Sequence, residues 1–215
     1  GLEPSIISGA GLTSIIKQGK IGNAYVGNGD WLIIEADESD GSVVQYEPEI
    51  GLLLNIDKDH QEIDELIELF TIFRNNTKGL YIVNQSNALA KTLSANVNND
   101  FGFETDAGFI AKNFKQEGFK LSFEIDNQEF TMKAIGQHTV ENATAAVAVA
   151  NQIGVDLKTC AESLSKYEGI YRRHQILGQK NGVWVIDDYA HNPAKCAASI
   201  KACQPLAEKV VAWFQ

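Results

Sequence analysis

Two apolar runs in this chain stop abruptly on clusters of charge, and no other feature constrains the fold as much. Residues 31–36 run into Glu35-Ala36-Asp37-Glu38-Ser39-Asp40, and residues 50–56 run into Asp57, Asp59 and His60. Short apolar runs with chemistry at one end read as buried parallel strands, whose two faces are both covered. Between them and the next apolar run, Ile63, Ile67 and Phe70 recur at helical spacing, and residues 75–79 supply the stop. Residues 80–84 then form another strand. This strand-helix-strand crossover makes the chain an α/β protein with a mostly parallel central sheet flanked by helices.

From Phe109 the pattern changes to alternation. Phe119, Leu121, Phe123 and Ile125 share one face, and Phe130, Met132 and Ala134 answer them across an Asp126-Asn127 turn. This predicts a small antiparallel insert whose apolar face rests on the helical layer. Residues 139–153, alanine- and valine-rich on nearly every side, predict a buried helix capped by the Thr139 hydroxyl. Residues 157–167 predict another helix and residues 183–186 a strand. Asn192-Pro193 reads as an N-cap followed by proline at the first helical position, and residues 209–214 read as the start of a further strand. A chain that stops in mid-strand is expected to be a piece of a longer protein, with a boundary near residues 173–178.

Composition excludes several functions. The 215 residues carry a formal net charge of −10 with no local basic patch, so a phosphodiester backbone is repelled and a nucleic-acid partner is not expected. The apolar runs fall far short of the roughly 20 residues that a bilayer requires, so no membrane span is expected. Residues 1–11 lack the parts of a secretory signal. Cys160, Cys196 and Cys203 are too scattered for a disulfide framework or a zinc site. Cytoplasm is the expected compartment.

The acidic loop after residue 34 holds four carboxylates in six residues, at the strand end where open α/β sheets place ligands. Such carboxylates repel one another unless a cation intervenes, which points to magnesium, although a solvated acidic turn has the same composition. The Asp57-Lys58-Asp59-His60 loop is expected beside it. Taken alone, the plainer reading of His60 is a polar residue opening the next helix. Arg172-Arg173 suits bidentate phosphate binding but also suits a solvated face. Asp187-Asp188 fits a ribose hydroxyl or plain helix N-terminal charge. Gly9-Ala10-Gly11, with Ser14 where a third glycine would stand, is a poor dinucleotide fingerprint and reads better as a surface turn. No Gly-x-x-x-x-Gly-Lys-Ser/Thr loop occurs.

In order along the chain, Glu35-Ala36-Asp37-Glu38-Ser39-Asp40, Asn55 with Asp59-His60, Gly136-x-His138-x-x-x-Asn142-Ala143, Arg172-Arg173 and Asp187-Asp188-Tyr189-Ala190-His191-x-Pro193 resemble the Mur ligases, most of all the alanine-adding branch. The resemblance covers almost the whole chain. It implies a central ATP-binding domain over residues 1–173, without its phosphate loop, and the beginning of a Rossmann-like C-terminal domain over residues 174–215. It further implies an amide-forming ligase of peptidoglycan precursor synthesis. Mg-ATP would phosphorylate the carboxylate of UDP-N-acetylmuramate, and L-alanine would attack the acyl phosphate. Two anions must approach within bonding distance in such a reaction, so cations must cancel their repulsion.

By the same resemblance, Glu35 and His60 would ligate Mg2+ and, with Arg173, form the catalytic set. His138, Asn142, Arg173 and Asp188 would hold ATP: Asn142 and His138 near the adenine, Arg173 on the phosphates and Asp188 on the ribose. Thr139, His174 and Asn192 depart from the family pattern. By itself the stretch is expected to bind Mg-ATP weakly and not to catalyse ligation. A tripeptide-adding recycling ligase acting on the same sugar nucleotide, and a catalytically silent relative, are the alternatives.

Overall fold

The computed structural model describes residues 2–58 and 61–214, with only the backbone of Ala194. The chain begins with β1 (Ser5–Ile7), α1 (Thr13–Ile16), β2 (Ala24–Tyr25) and β3 (Leu32–Ile34), then β4 (Ile50–Leu53), α2 (Ile63–Asn76) and β5 (Leu80–Val83). It continues through β6 (Phe101–Phe103), β7 (Phe109–Glu117), β8 (Lys120–Ile125), β9 (Gln128–Lys133), α3 (Gln137–Gln152) and α4 (Leu157–Ser165). It closes with β10 (Gln175–Lys180), β11 (Val183–Asp187) and α5 (Pro193–Cys203). The fold is mixed α/β, with parallel and antiparallel pairings and helices packed on the sheet.

The crossover forms as expected, with β4 and β5 parallel from Ile50↔Leu80 to Leu53↔Val83. A parallel bridge at Asn84↔Phe101 carries the pairing on to β6, which runs parallel to β7. Beyond β7 the strands turn antiparallel. The hairpin β8–β9 pairs Phe123 with Phe130 and Leu121 with Met132. Its corner, Asp126-Asn127, has φ of 49° and 65°, the left-handed pair that a tight hairpin with native twist demands. Leu121, Phe123, Ile125, Phe130 and Met132 are buried against α3 and α4, each large apolar side chain contributing about 1.5–3 kcal/mol. Asp100 is a buried acid among them. Its carboxylate accepts Val83 N at 2.9 Å, Gln85 Nε2 at 2.7 Å and Ser94 Oγ, which supplies the partners that a buried charge requires.

Several expectations are corrected. The β3 strand is not buried: Leu32, Ile33 and Ile34 are 53%, 55% and 37% exposed. Nor does it pair with β4; it lies parallel to β1 in a three-stranded sheet ordered β2-β1-β3. Residues 209–214 join no ladder, so the expected strand is absent there, and Trp213 is 94% exposed. The strand at 183–187 pairs antiparallel with β10 as a hairpin. Asn192 caps α5 as expected, accepting Lys195 N at 2.8 Å. The hairpin and α5 dock on the insert: Phe119 meets Trp184 edge-on at 4.8 Å, and Gln116 Nε2 donates to Ala202 O at 3.2 Å. Among the described residues no helix is long and apolar enough to cross a membrane.

Candidate active site

The start of α3 collects several of the expected site residues. Gly136 opens the helix at φ 84°, and no side chain caps it. Thr139, expected to cap, donates its Oγ1 to Ile135 O at 2.7 Å instead, because the helix begins two residues earlier at Gln137. His138 therefore lies in the first turn, near the positive end of the helix dipole, and Asn142 follows one turn later on the same exposed face.

Facing this helix end, the β10–β11 hairpin holds Arg172-Arg173-His174 alongside Asp187-Asp188-Tyr189. Each oxygen of the Asp188 carboxylate accepts one backbone amide: Oδ2 accepts His174 N at 2.8 Å and Oδ1 accepts Ala190 N at 2.9 Å. Both guanidiniums lie 5.4 Å from the centroid of the Tyr189 ring, an arrangement that aligns two cations on one aromatic plate. Arg172 also pairs with Asp187 at 3.3 Å, a partly exposed contact worth little by itself. The His174 ring reaches across to α3, with its centroid 5.1 Å from that of His138. His138, Arg173 and Asp188 are thus brought together, with Asn142 one turn along the helix. His138 is exposed as a residue, but desolvation where the two rings pack together is the main reason both histidines titrate below the ordinary value; Asp188 opposes the shift in each. Both are neutral near pH 7.

Glu35 sits apart from this group, at the carboxyl end of β3. Its Oε2 accepts Ser8 Oγ at 2.8 Å and Gly9 N at 2.7 Å, so the glycine turn after β1 orients it. In the same acidic loop, Asp37 and Asp40 accept the amides of Ser39 and Ser42 within their own turns. Gln61 joins this loop to the start of α2, donating to Glu38 O at 3.0 Å. His60, expected as the second metal ligand, and Asp59 lie outside the described residues. Among the described residues no group of three His, Cys, Asp or Glu side chains converges on one point. A backbone stitch relates the two regions: Tyr171 N donates to Gly11 O at 2.8 Å and Leu12 bridges Ile170. The Glu35 turn and the arginine pair therefore lie at the two ends of one short contact.

Ser8, Gly9, Gln61, His174 and Tyr189 contact the candidate residues and their loops, contacts that residue-by-residue reading missed. Tyr189 carried a signal in lying beside two acids across from two arginines; the others act through contacts between segments distant in the chain, which leave no local trace.

The Mur ligase middle domain matches residues 14–150, well over half the chain. The chain belongs to the Mur ligase family. The Mur ligase, glutamate ligase domain matches residues 172–214 as well. Among curated relatives, the UDP-N-acetylmuramate--L-alanine ligase of Synechocystis sp. is 31% identical over all of this chain and 44% of its own length. The enzyme of the same name from Geobacter sp. is 33% identical over 95% of this chain and 46% of its own length. The solved UDP-N-acetylmuramate-alanine ligase of Thermotoga maritima has a TM-score of 0.83 at 24% identity, covering 97% of this chain and 49% of that one, and shows the Mur ligase fold. The chain spans about half the length of the curated relatives it matches.

Proposed function

We propose that the protein to which this chain belongs is an ATP-dependent carboxylate-amine ligase that joins L-alanine to UDP-N-acetylmuramate through an acyl phosphate, in peptidoglycan precursor synthesis. The observation that carries this reading is the gathering of Arg173, His138 and Asp188 at the start of α3, in a family whose curated relatives bear that name. The junction between an ATP-binding domain and a second domain falls at residues 173/174 in this reading.

The side chains suit a nucleotide. Arg173, exposed and backed by Tyr189, presents a planar cation to phosphate oxygens. Asp188, fixed by two backbone amides, keeps lone pairs for ribose hydroxyls. Neutral His138 and the exposed Asn142 amide offer mixed donors and acceptors to a base. Glu35 suits magnesium, a hard cation that takes one or two carboxylates and keeps several waters. Its Oε2 is anchored by two donors, leaving Oε1 for the ion; His60 is the second ligand in this proposal. Bound Mg2+ supplies neutralisation of the phosphate charge. The chain's own part is to orient the nucleotide at Arg173, Asp188 and Asn142 and to hold one carboxylate at the ion, so that two anions can meet.

The test is alanine-dependent phosphate release from ATP by the full-length protein with UDP-N-acetylmuramate, repeated with Glu35→Gln. Activity is expected in the wild type, with a loss of about a hundredfold or more in the variant. Wild-type inactivity with L-alanine but activity with a tripeptide would transfer the assignment to the recycling ligase. Inactivity with both would leave a binding protein.

A further inference from the structure

We propose that His174 is a positioning residue of the nucleotide site: it braces the Asp188 carboxylate on one side and the His138 ring on the other, so that both face the ligand as one unit. This inference rests on the nucleotide reading above and extends it to a residue that touches no reacting atom.

His174 sits near the start of the second matched region, in the left-handed conformation at φ 44°. A side chain other than glycine persists there only when its surroundings fix it. Two contacts do so. Its own N–H and its ring Nδ1 both address Asp188 Oδ2, at 2.8 and 3.6 Å. The remaining face of the ring tilts by 35° against His138, 5.1 Å away between centroids. The Asp188 carboxylate is thereby held at both oxygens by main-chain amides, His174 N on one and Ala190 N on the other, with the His174 ring packed beside it.

The contacts also select a protonation state. A proton on Nδ1 points at the carboxylate, and the buried Nε2 has no hydrogen-bond partner among the described residues. Protonating Nε2 as well would put a positive charge in a ring with little solvation, facing His138, with only the Ser199 carbonyl to offset it. The groups around the ring are His138 from α3, Asp188 after β11, Arg173 beside it in the chain, and the Ser199 carbonyl from α5; Cys203, also on α5, faces Asp188. Burial outweighs the pull of Asp188 and Ser199, and Arg173 adds to it, so the ring stays neutral. Acid would therefore charge two touching imidazoles and loosen the brace.

Mg-ATP affinity of the full-length protein, measured by titration calorimetry at about pH 7.5 and about pH 5.5, tests this with His174→Phe and His174→Asn. The phenylalanine keeps the ring and loses Nδ1; the expected result is affinity weaker by about tenfold at the higher pH, with a flatter dependence on acid. Asparagine, whose amide can donate to Asp188, is expected to recover most of that loss. Wild-type affinity and pH dependence in His174→Phe, or no recovery in His174→Asn, would overturn the proposal while leaving the nucleotide reading intact. Failure of the wild type to bind Mg-ATP would sink both. If His174→Phe does not fold, nitrogen NMR of the wild-type imidazoles decides: a neutral Nδ1–H tautomer of His174 supports the brace, and an Nε2–H tautomer overturns it.

Discussion

The Glu35 carboxylate is held by the main chain of Gly9, whose N–H donates to Oε2 at 2.7 Å, and Ser8 Oγ adds a second bond to the same oxygen at 2.8 Å. The orientation of this acid therefore comes from the turn after β1 and not from its acidic neighbours, which are occupied within their own loop. The segment that reads as a degraded dinucleotide fingerprint is the cradle of a carboxylate. Removing one of the two donors by Ser8→Ala is expected to leave the fold intact, since the bond is exposed, and to raise the Mg2+ concentration needed for half-maximal phosphate release by roughly threefold to tenfold. A magnesium titration of the full-length protein reads this directly. An unchanged midpoint would mean that Gly9 alone fixes the acid.

His138 and His174 are expected to make the fold acid-sensitive. Both titrate below the ordinary value, with burial as the leading cause. A histidine harder to protonate in the folded chain than in the unfolded one binds fewer protons when native, so its contribution to stability is complete above the unfolded value of about 6.5. The contribution is lost as the pH falls through the depressed folded values. Thermal unfolding is expected to show Tm declining between about pH 7 and pH 5, above the range where carboxylates titrate, and declining less in His174→Phe. A Tm that stays flat over that interval would show that neither ring resists protonation.

Legibility followed the range of the interactions. The β8–β9 hairpin could be read because alternation fixes which face is buried, and a slip of one residue would expose Phe123 and Phe130 together. The α5 cap could be read because Asn192 and Pro193 act within one turn. Strand neighbours could not. The partner of β3 is β1, three residues long and too short to show any period, and the expected neighbour β4 pairs elsewhere. Thr139 misled because a hydroxyl near a helix start suits both a cap and a bond back to the preceding turn, and only the position of Gly136 decides between them. His174 looked like a mere departure from a family pattern because its partners, His138 and Asp188, come from separate elements.

Gly136 tests how tightly the second region is pressed onto this site. At φ 84° it occupies a conformation that side chains resist, and a Cβ there would lie 2.6 Å from His138 Cε1 and 2.9 Å from the Ala202 Cβ of α5. Gly154 provides the control, with φ 90° and nothing within 4 Å of its would-be Cβ. Gly154→Ala should therefore cost backbone strain alone, about 1 kcal/mol, whereas Gly136→Ala must also displace His138 or α5 and should cost about 2–3 kcal/mol. Urea unfolding monitored for both variants measures the difference. Because His138 belongs to the proposed nucleotide site, Gly136→Ala should also weaken Mg-ATP binding where Gly154→Ala does not. Equal costs, with affinity unchanged, would mean that α5 can withdraw from the helix start without penalty and that the contact to Ala202 does not constrain the site.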